Sequence, residues 1–114
     1  MFVILWEFEV KPGSEERFER VYGPGGDWDS LFRRDSHHAG THLWRDTSRP
    51  SVYLTADYWH SRAAYDAFLT AQESAYKSLD AATQELTTRE QKIGAYEQVG
   101  QGPASKSPAS QKRD

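Results

Sequence analysis

The sequence predicts an α+β domain of the ferredoxin-like βαββαβ type, a four-stranded antiparallel sheet with helices on one face. Three features predict it. Residues 2–10 alternate as a strand, with Phe2, Ile4, Trp6, Phe8 and Val10 on one side and Val3, Leu5, Glu7 and Glu9 on the other. Residues 41–46 and 51–59 read as a hairpin closed by a turn at Thr47–Pro50. The segment YLTADYWHSRAAYDAF at 53–68 then passes from period-two alternation, through a Ser61 cap, to helical spacing at Ala64, Tyr65, Phe68 and Leu69.

The remaining elements fall between these. Lys11-Pro12-Gly13 ends the first strand. Ser14 is placed to cap a helix whose first turn holds Glu15 and Glu16, where the helix dipole favours acids, and whose inner face holds Phe18, Val21 and Tyr22. Gly23-Pro24-Gly25-Gly26 stops that helix. Asp27 is read as the cap of a second short one, with Trp28, Leu31 and Phe32 at i, i+3 and i+4. The helix after Ser61 is expected to break near Ala71 and to continue past Tyr76, Leu79 and Leu86, with an exposed last half. A final strand is expected over 92–99, with Ile93, Ala95 and Val99 on one face and Tyr96 on the other. Residues 1–99 thus form one domain. Residues 100–114 are rich in Gly, Pro, Ser, Ala, Gln and Lys and are expected to be disordered.

Bulk properties narrow the function classes. A chain of 114 residues with 27% charged and 37% hydrophobic residues suits one ordinary domain. No apolar run reaches the ~18 residues needed to span a membrane, and MFVILWEFEV reads as a strand instead of a signal peptide, so a cytoplasmic location is expected. The absence of cysteine excludes disulfides, thiolate metal sites and Cys nucleophiles. Net charge is −3; the tail from Gly100 carries +2, which leaves −5 for the body, and an acidic body without a basic stripe argues against nucleic acid as a partner. Both faces of the predicted sheet carry apolar residues: Ile4 and Trp6 against Val3 and Leu5, Tyr53 and Trp59 against Leu54 and Tyr58. With helices on one face only, the other is left bare, and a homodimer packing two sheets face to face is the expected solution.

On the segments WEFEVKPG (6–13), YGPGGDWDSLFRR (22–34), YLTADYWHSRAAYDAF (53–68) and KIGAYEQV (92–99), the chain resembles the antibiotic biosynthesis monooxygenase family of the dimeric α/β barrel superfamily. The resemblance covers nearly all of residues 1–99. It implies a homodimer with one pocket per subunit, between sheet and helices. It also implies a cofactor-independent oxygenase in which an electron-rich aromatic or polyketide-like molecule itself reacts with O2. Such a pocket needs aromatic walls and a proton acceptor. Trp6, Trp28, Phe32, Trp44, Trp59, Tyr65, Phe68 and Tyr76 are the candidate walls. A haem-degrading branch of the family is disfavoured: the chain has no Asn, Phe68 and Ser78 stand where that branch carries Trp and His, and no histidine follows His60. No cofactor is expected.

Histidine is the natural base near neutral pH, which makes His37, His38 and His42 the candidate catalytic residues. His38 and His42 have i, i+4 spacing, but on a strand they would share a face yet stand more than ~12 Å apart, so no metal site is expected. Trp59 reads as a staple across the helix entry. Arg33 and Arg34 are read as solvated, with pairing to a phenolate or carboxylate as the sharper alternative. Asp57, mid-strand among apolar neighbours, needs a partner if buried, and Arg45 is the candidate. Two functions remain open: an oxygenase, or a non-catalytic dimeric module that binds a small ligand or serves a stress or regulatory role. The oxygenase reading expects a cavity lined by Trp28 and at least one of the three histidines.

Overall fold

The computed structural model describes residues 1–102; most of the tail expected to be disordered lies outside the described residues. The elements are β1 (Phe2–Val10), α1 (Glu15–Tyr22), α2 (Asp27–Phe32), β2 (His38–Arg45), β3 (Val52–Trp59), α3 (Arg62–Ala71), α4 (Glu73–Thr83), a single 3₁₀ turn (Gln84–Leu86) and β4 (Thr87–Glu97). The four strands form one antiparallel sheet in the order β2-β3-β1-β4, which is the ferredoxin-like arrangement. All helices lie on one face. Phe2, Ile4, Phe8 and Val10 of β1 meet Phe18, Tyr22, Phe32, Phe68 and Leu86 in a single aromatic-rich core.

Several boundaries differ from expectation: α4 ends at Thr83, short of Leu86, which is buried in the 3₁₀ turn, and β4 ends at Glu97, two residues early. β4 begins at Thr87, five residues before the expected start. It is an edge strand, largely exposed on both sides, so its polar composition mimics an exposed helix end. Residues 38–40 belong to β2 and not to the connection before it. The expected helix break occurs at Gln72, between α3 and α4. Ser61 caps α3 as read, accepting a hydrogen bond from the Ala64 amide at 3.1 Å.

The glycine-rich stop after α1 has a second role. A Cβ on Gly26 would sit 2.2 Å from the Arg20 carbonyl oxygen and 2.6 Å from that of Val21. Only glycine lets the chain fold back this tightly and start α2 against the end of α1. Gly26, and not Asp27, is therefore the residue that precedes α2. The turn sets Trp28, Asp29 and Phe32 over the sheet.

The opposite face of the sheet carries no helix. Val3, Leu5, Leu54, Tyr58, Trp44 and Tyr96 share it by strand alternation and cross-strand register, and Trp44 and Tyr96 are among the most exposed large side chains of the domain. The Tyr96 ring lies over Gly94, where a Cβ would come within 2.6 Å of its hydroxyl.

Candidate functional site

Between the sheet and α2, α3 and α4 lies a cavity of about 320 Å³. Trp6, Phe8, Tyr22, Trp28, Phe32, Tyr65 and Tyr76 supply its aromatic wall, with Ile4 and Thr55 on the sheet side. Three carboxylates reach it: Asp57 from β3, Asp80 from α4 and Glu90 from β4. Burial pushes the phenols of Tyr22, Tyr65 and Tyr76 above their usual range, and for Tyr65 the Asp57 charge adds to that effect. The cavity therefore offers hydroxyl donors that stay neutral.

Of the expected wall, Trp6, Trp28, Phe32, Tyr65 and Tyr76 line the cavity. Trp59 and Phe68 do not. They are fully buried one layer behind, where Trp59 packs against Phe32, His38, Tyr65 and Phe68 with ring centroids 4.9–5.8 Å apart. Trp44 lies on the bare sheet face, beside His42 at 5.4 Å.

The three histidines separate. His37 sits in the turn before β2, exposed, with its Nδ1 2.8 Å from Asp35 Oδ1. His42 is exposed on the bare face between Trp44 and Tyr58. Only His38 points inward, and its side chain is 1% exposed. The expectation that His38 and His42 share a face fails because of a register shift between His38 and Gly40. One extra residue in a strand moves every later side chain to the other face. Gly40, at φ +148°, takes up that irregularity.

No histidine lines the cavity. His38 instead supports a residue that does. Its Nε2 is 3.5 Å from Asp57 Oδ1 and 3.3 Å from Thr41 Oγ1. Thr41 Oγ1 is 2.5 Å from the same Asp57 oxygen. A hydroxyl has one hydrogen and a carboxylate oxygen only accepts, so Thr41 donates to Asp57 and accepts from the His38 Nε2–H. The result is a one-directional chain, His38 to Thr41 to Asp57, ending at the cavity wall. A second carboxylate, Asp29 of α2, stands behind this chain without a hydrogen from Thr41, whose one hydrogen goes to Asp57. It lies 3.3 Å from Thr41 Oγ1 and 3.9 Å from His38 Nδ1, and is held by the Gly25 amide at 2.7 Å and by Arg33 Nε at 3.5 Å.

This network revises two sequence readings. Asp57 does not pair with Arg45. The hairpin register sets Arg45 opposite Tyr53, so it bonds Glu19 at 2.7 Å, while Asp57 falls opposite Thr41. Arg33 is not simply solvated, because it faces the buried Asp29; Arg34 bonds Gln72 at 3.0 Å. Asp29, Thr41, Asp80 and Glu90 escaped the sequence reading altogether. Asp57 did carry a signal, a carboxylate at an inward-facing strand position. Among the described residues no group of three His, Asp or Glu side chains has a geometry that would hold a metal.

Glu90 gives a pH-dependent prediction. Burial, then the Asp80 charge, raises its carboxyl above the ordinary value. The folded state thus holds this proton more tightly than the unfolded chain. Stability from this group is full below the unfolded value of about 4.3 and declines as pH rises through the higher folded value. Glu90→Gln is expected to stabilise the domain at pH 7 by a few tenths of a kcal/mol, a small gain because the side chain is partly open to solvent, which screens the charge. Urea titrations at pH 7 and pH 4 would check it: the gain should vanish at pH 4.

Comparisons with known proteins agree with this architecture. The family model described as antibiotic biosynthesis monooxygenase matches residues 1–77. No curated protein matches the sequence. Among solved structures, the fold is similar to SnoaB, a cofactor-independent oxygenase from Streptomyces nogalater (TM-score 0.70, 18% identity, 90% of this chain and 96% of that one). It is also similar to a candidate antibiotic biosynthesis monooxygenase from Bordetella bronchiseptica (TM-score 0.69, 20% identity, 86% and 96%) and to protein SO0527 from Shewanella oneidensis (TM-score 0.64, 19% identity, 85% and 89%). At such identities the structural likeness speaks for the fold. The family match, which spans two thirds of the sequence from β1 into α4, places this chain in the antibiotic biosynthesis monooxygenase family.

Proposed function

We propose that the domain is a cofactor-independent oxygenase that oxidises a small electron-rich aromatic molecule in the cavity between sheet and helices, with Asp57 as the proton acceptor. The observation that carries the reading is Asp57 itself. It is a carboxylate in an otherwise aromatic wall, fixed by the Thr41 hydroxyl and backed by His38. SnoaB, of the same fold, is a cofactor-independent oxygenase.

The chemistry asks little of the protein. Asp57 takes a proton from an acidic C–H or O–H of the substrate, leaving an electron-rich carbanion or phenolate. That anion reduces O2. For a benzylic methylene flanked by phenols, one oxygen atom ends in the new carbonyl and the other leaves as water. The substrate supplies all the electrons that O2 takes. The wall orients the ring and excludes bulk water, and the buried tyrosines supply neutral donors to the developing oxyanion.

Oxygen uptake with a panel of anthrones and hydroquinones tests the reading; uptake above buffer supports it, and none across the panel contradicts it. A non-catalytic ligand-binding module is the second reading. Its supporting observation is that none of the three candidate histidines lines the cavity. Ligand binding without oxygen uptake would favour it.

The bare sheet face is proposed to pair two copies of the chain, as its exposed Trp44 and Tyr96 suggest. Sedimentation should give twice the 13.0 kDa chain mass. Leu54→Arg places a charge within that face and is expected to yield a folded monomer. A monomeric parent protein would rule out the pairing.

A further inference from the structure

The charges around the cavity are one-sided. Asp57, Asp80 and Glu90 reach it, and no Lys, Arg or His lines it. Among the described residues neither Asp80 nor Glu90 has an ion-pair partner, and Glu90 receives only a 3.5 Å contact from Thr87. Of the β4 cations, Arg89 pairs with Glu7 and Glu9, and Lys92 is exposed and outside the wall. Tyrosine carries no positive charge in either protonation state, so no cation in the wall offsets the carboxylates. Trp28 borders the same space. It is 7% exposed and its Nε1 has no hydrogen-bond partner.

We propose that the cavity selects an aromatic ligand carrying a positive charge, a ring system bearing a protonated amine, with the nitrogen at the Asp80 and Glu90 end. An anionic ligand would meet three like charges. A neutral one would leave the repulsion between Asp80 and Glu90 unrelieved. A cation is attracted both by those carboxylates and by the indole and phenol faces beside them. The two ends of the ligand are separated by the fold. Asp57 pairs with Ile4 on one side of β1 and Glu90 with Phe8 on the other, so two strand spacings and four residues of rise put their backbones roughly 16 Å apart. The ring meets Asp57 and the nitrogen lies at the far end. This deepens the oxygenase reading by naming the substrate class of the same cavity, and it rests on that cavity being the site.

Isothermal titration of the full chain with three tricyclic probes of one shape tests it: 9-(aminomethyl)anthracene, 9-anthracenemethanol and 9-anthracenecarboxylate, at pH 7 and low salt. The amine is expected to bind about tenfold more tightly than the alcohol, and the carboxylate more weakly than either. Asp80→Asn with Glu90→Gln should remove the amine's advantage and leave the alcohol unchanged. Glu90→Lys should move the preference toward the carboxylate, and thermal melts confirm that each variant folds. An alcohol that binds as well as the amine, an amine advantage that survives both neutral substitutions, or no binding by any probe would overturn the proposal. Amine preference without oxygen uptake on the phenolic panel would remove the oxygenase reading and keep this one. Uptake on neutral phenols without amine preference would do the reverse.

Discussion

Asp57→Asn is expected to lower oxygen uptake on a phenolic substrate by about 10²–10⁴-fold while leaving ligand affinity within about threefold. The amide keeps the shape of the carboxylate and still accepts from Thr41, so the wall and the network behind it stay in place. What it loses is the capacity to take a proton. The loss should therefore fall on kcat, the signature of an interaction needed only in the transition state. Steady-state oxygen-electrode kinetics, with titration of a non-reactive analogue, separates the two quantities. A variant that keeps most of its kcat would remove Asp57 from the chemistry. His38 is a positioning residue in this scheme, since it touches Asp57 and Thr41 but not the cavity.

The largest effect on stability is expected at Trp59. Its side chain is fully buried at the join of β3 and α3 and touches four rings. Trp59→Ala would open a large void that Phe32 and Phe68 cannot fill without leaving their own contacts. The expected cost is about 3–5 kcal/mol, a large share of the 5–15 kcal/mol that holds a typical domain together. Trp59→Phe should cost less than about 2 kcal/mol, because it also removes an indole N–H that is buried without a partner. Urea denaturation checks both, with the midpoint falling and the slope unchanged. If Trp59→Ala costs less than about 1 kcal/mol, the aromatic layer behind the cavity is not the support it is taken to be.

The fold was legible because it rests on local periodicity. β1, the 52–59 strand and the Ser61 cap each carry a pattern that one segment suffices to show. β4 was misplaced at its start, since an edge strand needs no apolar alternation to form. The site was less legible because it depends on pairing. The residues that border Asp57 come from β2 and α2, and their meeting is decided by a register shift beside His38 and by a glycine turn at 25–26. Neither leaves a periodic trace. The histidine pair at 38 and 42 shows the consequence: with regular alternation both would face one side, and the bulge sends one to the core and the other to the bare face. Aromatic residues were easy to nominate and hard to sort. Trp6, Trp28 and Trp59 all lie on the helix side, yet only the first two reach the cavity.

A crystal structure of the protein with 1,8-dihydroxyanthraquinone would show whether the cavity seats an aromatic ligand against Asp57. The rings are expected between Trp6, Trp28 and Tyr76, with one ligand hydroxyl within about 3.2 Å of Asp57. A ligand bound only on the bare sheet face, or in the cavity with no polar contact to Asp57, would contradict that expectation.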